Sequence, residues 1–509
     1  MTMINISHLT FSYPGGDQNI FDDVSLQLNT SWKLGLVGRN GTGKTTFLRL
    51  LQGQYEYEGT ISAKVSFDYF PFTVPDQTKT AYEIVEQINP AGEIWRFERE
   101  VSLLGMDTAT LERPFKTLSQ GEQTRILLAA LFSKEHNFLL IDEPTNHLDI
   151  AARQQVAQYL QGKEGFILVS HDRTLLNQCT DHTLAINRTN ITLAQGNFAT
   201  WYENKMLQDD FERAQNKKLG REITKLQQNA RQTAKWADQI ESTIIGGRMA
   251  KGHISRMSAK MMKRSIIAQN RAQKNIEEKS KLLKNIEETE PLKFHCLQNI
   301  DGRIFEAIDL TLSYGQHEVA KNINFYLENG DRLQIRGKNG SGKSSILKLL
   351  LEQLAQPRDG LVDHPDDHPE TSSKQTLNYE GHLRLPKNLK ISYVSQDTSR
   401  LKGSLKDYIF ANNLDQNLFQ AILRKLDLER ECFNKNLESY SAGQKKKVLL
   451  AHSLTEEAHI YIWDEPLNYI DIFSRMQIEE AILKYQPTMI FVEHDQNFAE
   501  KIATKVLDL

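Results

Sequence analysis

Short apolar runs recur in the N-terminal and in the C-terminal part of the chain, and each is followed by a glycine-rich, acidic or polar segment. The runs LGLV and LQIR each precede a glycine-rich octapeptide, and the helix-like segments FLRLL and ILKLL follow it. Farther along come FLLIDE and IYIWDE, which end in Asp-Glu, and FILVS and MIFVE, which precede a histidine. Short apolar runs that alternate with helical segments predict buried strands and an α/β fold.

The middle of the chain has a different pattern, in which apolar positions recur three and four residues apart. We expect one helix over residues 201–243, about 65 Å long at about 1.5 Å per residue, and a second over residues 255–288. Gly246 and Gly247 supply the reversal between them, so residues 241–253 form the tip of a hairpin. The seam that packs the two helices together consists of Leu219, Ile223, Leu226, Ala230, Thr233, Ala237, Ile240 and Ile244.

The two ends of the chain are repeats of one another. The separations that establish the repeat are 299 residues for Lys44 and Lys343, 322 for Ser119 and Ser441, 322 for Asp142 and Asp464, and 323 for His171 and His494. The two lysines are closer together than the later pairs because the second half carries an additional polar, proline-containing stretch near residues 355–375, after its lysine. We interpret this stretch as a surface loop.

The octapeptides GRNGTGKT and GKNGSGKS have the composition of a phosphate-binding loop. Glycines let backbone N–H groups curl around phosphates, and the N-terminus of the next helix adds positive charge. We expect Lys44 and Lys343 to contact the β- and γ-phosphates, and Thr45 and Ser344 to coordinate Mg²⁺. The predicted ATP-binding residues of these loops are Gly38, Arg39, Asn40, Gly41, Thr42, Gly43, Lys44, Thr45 and Thr46, and Gly337, Lys338, Asn339, Gly340, Ser341, Gly342, Lys343, Ser344 and Ser345.

The Asp-Glu pairs at the ends of two predicted strands supply a further part of each site. Asp142 and Asp464 can hold Mg²⁺, and the glutamate that follows each can polarise an attacking water. An isolated pair often merely begins a loop, but its place in the repeat favours the catalytic interpretation. A histidine after the next strand is expected to contact the γ-phosphate. The predicted catalytic residues are Glu143, Glu465, His171 and His494.

Composition restricts the class of protein. The 509 residues can form two to four domains, and no run of 18 apolar residues is present to span a bilayer. The N-terminal segment lacks a signal-peptide pattern, and the three cysteines are far apart. We therefore expect a soluble protein of the reducing cytoplasm, with its cysteines as small buried apolar residues.

The net charge of -3 conceals a strongly basic segment. Residues 213–264 contain 13 Lys and Arg against 3 Asp and Glu. This excess favours a polyanionic partner such as nucleic acid, and the alternative is a solvated helix face.

The segments LSQGE and YSAGQ, residues 118–122 and 440–444, resemble the signature motif of the ATP-binding cassette (ABC) superfamily. Each serine stands 23 residues before the strand-end aspartate. In that superfamily two cassettes sandwich two ATP molecules, and the signature of one caps the γ-phosphate held by the other. The resemblance implies that the second signature completes the site of Lys44, and the first that of Lys343. It adds to the ATP sites Ser119, Gly121, Glu122, Ser441, Gly443 and Gln444, and the adenine-stacking Tyr13 and Tyr314.

Two cassettes in one chain with a basic linker and no membrane segment resemble the ABC-F family, soluble ATPases that act on ribosomes. The predicted fold is α/β, with two ABC-type ATP-binding cassettes in tandem joined by a long α-helical hairpin linker. The implied segments are residues 1–203, 204–292 and 293–509. In that family the linker reaches toward the peptidyl-transferase centre, so ribosome, large-subunit rRNA and tRNA are the expected partners. We expect a monomer with an intramolecular cassette sandwich, and ATP and Mg²⁺ as cofactors.

Two departures refine the resemblance. Gln396 in ISYVSQ matches the glutamine loop of the superfamily, but Phe72 stands at that place in FDYFPF and cannot coordinate Mg²⁺. We therefore expect the two sites to turn over differently. About 46 residues separate Phe72 from the first signature, too few for the additional helical arm of some housekeeping members. The predicted metal ligands are Thr45, Asp142, Ser344, Gln396 and Asp464.

The missing arm makes the chain more similar to the antibiotic-resistance branch, and most to members acting on lincosamides, pleuromutilins and streptogramin A. The predicted ribosome and drug-site contacts at the hairpin tip are Ile244, Ile245, Arg248, Met249 and Lys251. The alternative for the isoleucines is to close the core of the hairpin. Other functions left open are the ATPase subunit of an ABC drug exporter, a DNA-repair or chromosome ATPase, and a general ABC-F factor that rescues stalled ribosomes.

Overall fold

The chain divides into two compact units, one of Met1–Ala199 with Glu290–Leu509 and one of Thr200–Thr289. For residues 150, 230, 231, 233–245, 354 and 355 the backbone alone is described. The computed structural model describes residues 2–15, 19–90, 92–134, 137–146, 148–187, 189–245, 267, 271, 274, 291–297, 302–315, 317–338, 340–355, 377–384, 386 and 389–509.

The first repeat is a mixed α/β structure. Its strands are β1 (Met3–Phe11), β2 (Phe21–Asn29), β3 (Lys33–Val37), β4 (Glu58–Ser62), β5 (Ser66–Phe70), β6 (Asn137–Asp142), β7 (Phe166–Val169), β8 (His182–Asn187) and β9 (Asn190–Gln195). Its helices are α1 (Lys44–Leu51), α2 (Ala81–Ile88), α3 (Ile94–Leu103), α4 (Gln120–Phe132), α5 (Ile150–Gln161) and α6 (Arg173–Cys179), with short 3₁₀ helices at Thr108–Glu112 and Phe115–Thr117.

A sheet in the order β5-β6-β7-β3-β8-β9 organises this repeat, and its described strands are parallel except for β9. Strand β7 is buried along its whole length, which is typical of a parallel sheet that is covered on both faces. An antiparallel sheet β2-β1-β4 shares one apolar core with it and with α1. Because the strands are parallel, the segments after β3, β6 and β7 meet at one edge.

The long helix α7 (Phe198–Ile245) has 48 residues. It begins three residues before the predicted start, because Gly196, with φ 114°, makes the preceding turn and nothing between it and residue 201 interrupts a helix. Within the predicted second helix, residues 267, 271 and 274 are described and are helical. Of the predicted tip, residues 241–253, the helical backbone of residues 241–245 is described, and residues 246–253 lie outside the described residues.

The second repeat has the same arrangement. Its strands are β10 (His295–Cys296), β11 (Arg303–Tyr314), β12 (His317–Glu328), β13 (Arg332–Arg336), β14 (Leu377–Arg384), β15 (Ile391–Val394), β16 (Glu457–Ala458), β17 (Ile460–Asp464), β18 (Met489–Val492) and β19 (Lys505–Asp508). Its helices are α8 (Lys343–Ala355), α9 (Leu405–Ala411), α10 (Gln416–Lys425), α11 (Ala442–Thr455), α12 (Ile472–Tyr485) and α13 (Gln496–Ile502), with short 3₁₀ helices at Arg430–Asn434 and Leu437–Ser439.

The parallel sheet β15-β17-β18-β13-β19 and the antiparallel sheet β12-β11-β14 correspond to those of the first repeat. The predicted α/β fold and its internal repeat are therefore confirmed. The polar stretch predicted near residues 355–375 falls almost wholly outside the described residues.

Two further expectations concern the cysteines and the membrane. All three cysteines are free thiols, and Cys179 and Cys432 are buried as expected. The prediction was wrong for Cys296, which is exposed because it lies on the two-residue strand β10. Across the part of the chain that the structure describes, no helix is long and apolar enough to cross a membrane.

Candidate functional site

Each glycine-rich loop connects a parallel strand to a helix, as the sequence predicted. In the first loop Gly41 and Gly43 have φ of 87° and 96°, values that favour glycine. The loop lysine folds back over this turn in both repeats. Its Nζ donates at 2.9 Å to two carbonyl oxygens, from Lys44 to Gly38 and Arg39 and from Lys343 to Gly337 and Lys338. The positive charge thus lies where the helix N-terminus favours an anion.

The strand-end aspartate of the first site contacts the hydroxyl predicted to share its metal. Thr45 Oγ1 donates to Asp142 Oδ2 at 2.8 Å. Tyr69 Oη on β5 donates to the same oxygen at 2.9 Å. Burial raises the pKa of Asp142 above its usual range, and both hydrogen bonds oppose that shift. A cation at this position would remove the burial penalty by pairing with the carboxylate.

Glu143 lies beside the predicted histidine. The backbone N–H of His171 donates to Glu143 Oε2 at 3.3 Å, and His171 Nε2 lies 3.5 Å from Oε1. Burial and the adjacent Asp142 raise the pKa of Glu143 to about 8. Burial and the charge of Lys44 hold the pKa of His171 well below its usual value. The structure therefore brings the predicted catalytic groups of the first site together.

The second site has the same groups with different partners. Burial and the charge of Glu465 raise the pKa of Asp464 to about 6, and a hydrogen bond from Ser344 opposes this. Asp464 Oδ1 is buried and accepts no hydrogen bond from any described residue. A carboxylate oxygen with free lone pairs beside a serine hydroxyl is a donor set that fits Mg²⁺.

Glu465 is more fully hydrogen-bonded than Glu143. Gln396 Nε2 and Asn468 Nδ2 donate to its Oε2 at 2.9 and 2.6 Å, and His494 Nε2 lies 3.4 Å from Oε1. Burial raises the pKa of Glu465, but the contacts with His494 and Asn468 outweigh it, so the net shift is downward. Gln396, predicted as a metal ligand, thus contacts the glutamate rather than Asp464.

The second signature faces the first phosphate-binding loop. Ser441 accepts a hydrogen bond from the Gln444 N–H at 3.2 Å and so caps α11. A Cβ on Gly443 would lie 3.3 Å from Asn40 Nδ2, and that amide donates to the Tyr469 carbonyl at 2.9 Å. The glycine therefore permits a close approach between the repeats.

The first signature faces the second loop in the same way. Ser119 and Glu122 form a capping box at the start of α4. Gln120, between Ser119 and Gly121, lines a cleft of about 350 Å³ whose other walls include Lys343 and His494. Each candidate site is thus composed of both repeats.

The remaining predicted ATP contacts lie around these loops. Tyr13 Oη is 2.7 Å from Thr46 Oγ1, and Tyr314 Oη is 3.4 Å from Ser345 Oγ, so both rings stand beside the first turn of the loop helix. Asn339 lies outside the described residues, as do Arg248, Met249 and Lys251 at the tip. For Ile244 and Ile245 the helical backbone alone is described.

Two polar residues that the sequence pattern did not single out lie in the sites. Tyr69 stands three positions before Phe72, and both line a cavity of about 470 Å³ beside the first site. Arg153 lines the cleft of the second site, and its Nη1 donates to the His494 carbonyl at 3.4 Å. The sequence signal that could have identified Tyr69 is its place on the strand that leads to the glutamine-loop position. Arg153 is recognised as part of the second site only once the two repeats are assembled.

Fold and sites define a nucleotide-binding protein in which two cassettes each supply part of two sites. The family model described as ABC transporter matches residues 21–146 and 320–468, more than half of the chain. The chain belongs to this family. It is therefore an ATPase that binds ATP with Mg²⁺.

The chain is similar in sequence to known proteins along all or almost all of its length. The ribosome protection protein VmlR of Bacillus subtilis (strain 168) is 26% identical, covering 100% of this chain and 86% of VmlR. The ATP-binding protein Uup of Caulobacter vibrioides is 27% identical, covering 97% and 75%. The archaeal ribosome recycling factor aABCE1, solved with an archaeal ribosomal stalk protein, superposes with a TM-score of 0.60 at 18% identity, covering 98% and 87%. The two predicted ABC-type cassettes in tandem are confirmed.

Proposed function

We propose that this chain is a cytoplasmic ABC-F ATPase that binds the ribosome in its ATP-bound form. Its linker tip reaches the peptidyl-transferase centre and displaces bound antibiotics. The observation that carries the proposal is the helix α7, which a pair of cassettes does not need for ATP binding.

The described side chains of α7 divide into two sets. Leu219, Ile223 and Leu226 are half-buried, at a spacing of four and three residues. The basic side chains are exposed, and in the described part of the helix they include Arg213, Lys217, Lys218, Arg221 and Lys225. At about 1.5 Å per residue, α7 extends about 70 Å. A long helix with exposed cations is suited to contact the phosphates of folded RNA.

The comparisons support the same proposal. VmlR, named as a ribosome protection protein, resembles the chain over its full length and not only over the cassettes. One solved structure of similar fold is that of an archaeal ribosome recycling factor. An exporter subunit would explain the cassettes but would leave the basic helix without a role.

We propose that Glu143 and Glu465 act as general bases and that His171 and His494 contact the γ-phosphate. Each histidine lies beside its glutamate, which supports these roles: the His171 N–H donates to Glu143 Oε2, and His494 Nε2 lies 3.4 Å from Glu465 Oε1. Lys44 and Lys343 would hold the β- and γ-phosphates. The residues that would hold Mg²⁺ are Thr45, Asp142, Ser344 and Asp464, with Gln396 beside them in the second site. Mg²⁺ would offset the negative charge of the transferred phosphoryl group.

Replacing both glutamates, Glu143→Gln with Glu465→Gln, should abolish ATP hydrolysis and retain ATP binding. The amide keeps the shape of the side chain but loses the base. Phosphate release measures the first effect, and binding of a fluorescent ATP analogue measures the second. The variant should also accumulate on ribosomes with ATP in a pelleting assay. Turnover close to that of the parent would remove both residues from the catalytic role.

Replacing Arg221, Lys225, Arg231 and Lys235 of α7 by Gln should weaken ribosome binding. It should also make binding less sensitive to salt. The slope of log binding constant against log salt concentration should decrease in magnitude by about 0.7 to 0.9 for each phosphate that the helix no longer neutralises. Helicity should persist, because glutamine is a good helix former, and circular dichroism checks this.

The matched control removes four exposed lysines of the cassettes, Lys64, Lys402, Lys406 and Lys484, by substitution with Gln. It makes the same change in net charge and should alter the salt slope less. Equal slopes for the parent and the α7 variant would show that this face is merely solvated.

Substitutions at the tip test the displacement of antibiotics. Ile245→Ala, Arg248→Ala and Met249→Ala should each lower or redirect protection against lincosamides, pleuromutilins and streptogramin A. Apolar side chains can pack against bases or reshape a drug site, and a cation can hold nearby phosphates. The measurement is the drug concentration that halts growth of cells expressing each variant, alongside ATPase activity, which should persist.

If all three tip variants protect cells as the parent does, the tip is a connector that closes the hairpin. If the parent itself gives no protection but still binds ribosomes, the general translation factor replaces the resistance proposal.

A further inference from the structure

At two buried positions the second cassette carries ionisable side chains where the first carries neutral hydroxyls. Lys446 corresponds to Thr124, 322 residues apart, and Glu493 corresponds to Ser170, 323 residues apart. These are the separations that relate the other motifs of the two repeats. Lys446 is 2% exposed and Glu493 is 4% exposed. Buried charges of opposite sign, both absent from the equivalent positions of the first cassette, are expensive to place and call for an explanation.

Lys446 joins two strand ends of the second site. It lies on α11, five residues after the signature Ser441. Its Nζ donates to the Ser395 carbonyl at 2.8 Å and to the Asp464 carbonyl at 3.2 Å. Ser395 directly precedes Gln396, and Asp464 directly precedes Glu465. Each carbonyl therefore belongs to the residue before one whose side chain lies in the site. One ammonium group therefore fixes the backbone on which both side chains stand.

Glu493 joins the two loops on the other side of the same glutamate. Its Oε1 accepts the Leu467 N–H at 2.8 Å, and its Oε2 accepts the His494 N–H at 2.9 Å. Leu467 begins the loop that carries Asn468, which bonds to Glu465 Oε2. His494 itself contacts Glu465 Oε1. In the first cassette, Ser170 is also buried, and its hydroxyl accepts one N–H, from Asp172.

Nearby carboxylates stabilise the charged form of Lys446. Burial lowers the pKa of Lys446 to about 8, and among the carboxylates that oppose this shift Glu493 acts most strongly, ahead of Asp464 and Glu465.

We propose that Lys446 and Glu493 are positioning residues that hold Gln396, Asn468 and His494 around Glu465 for hydrolysis in the second site. The pair has no counterpart at the equivalent positions of the first cassette.

The test places the residues of the first cassette into the second. In a Glu143→Gln background, where turnover reports the second site, we compare Lys446→Thr, Glu493→Ser and the double variant. Each single substitution should lower kcat by about tenfold or more and change KM for ATP by less than about threefold. The double variant should lose at least as much kcat as the more damaging single variant, because the hydrogen bonds to both strand ends and to both loops are then absent.

The same variants in a Glu465→Gln background report the first site and should reduce kcat less there. Lys445→Thr is the matched control on the same helix: it changes the same type of residue one position away and should keep the second-site kcat within about twofold. If the threonine and serine variants do not fold, Lys446→Met with Glu493→Gln gives the same comparison at nearly unchanged volume.

Three results would overturn the proposal. One is single variants whose second-site kcat stays within about twofold of the parent. Another is a double variant that regains the second-site kcat of the parent. The third is an equal loss in both backgrounds together with a lower melting temperature, which would indicate a purely structural role.

Discussion

Adjacent carboxylates stand at the buried end of a parallel strand in each cassette, and the surrounding structure has to stabilise that concentrated negative charge. Isolated charges at such depth are unfavourable, so each must find a cation or hydrogen-bond donors. For Glu143 two cations oppose protonation, Lys44 of its own cassette and Arg475 of the other. Charge compensation thus crosses between the cassettes, and the first site depends on their association.

Buried polar contacts also hold the two cassettes together away from the phosphate-binding loops. Arg173 of the first bonds to Glu479 of the second, and both side chains are almost fully buried. In the second cassette Gln496 stands at the position equivalent to Arg173, and in the first Ala157 stands at the position equivalent to Glu479. These two residues cannot form the same ion pair. The association is therefore asymmetric, as are the partners of Glu143 and Glu465. Two sites that arose by repetition have become chemically different through substitutions around a common set of carboxylates.

The long helix α7 obeys a different constraint from the cassettes. Its stability comes from half-buried apolar positions along one face, since an isolated helix gains little from propensity alone. The exposed basic side chains in its described part lie off that packed face. This separation of packing and charged positions leaves a basic face that suits a polyanionic partner, which the proposed function identifies as ribosomal RNA.

Local sequence determined the strands, the glycine-rich loops and the strand-end carboxylates, because each depends on residues within one short segment. The repeat spacing likewise predicted which elements correspond. It did not predict that Tyr69 bonds to Asp142, that Gln396 contacts Glu465, or that Lys446 reaches two strand ends. Those contacts join residues distant in the chain, and their geometry depends on how helices and sheets pack. The sequence by itself therefore determined the chemistry available to each site, and the tertiary structure decided which groups meet there.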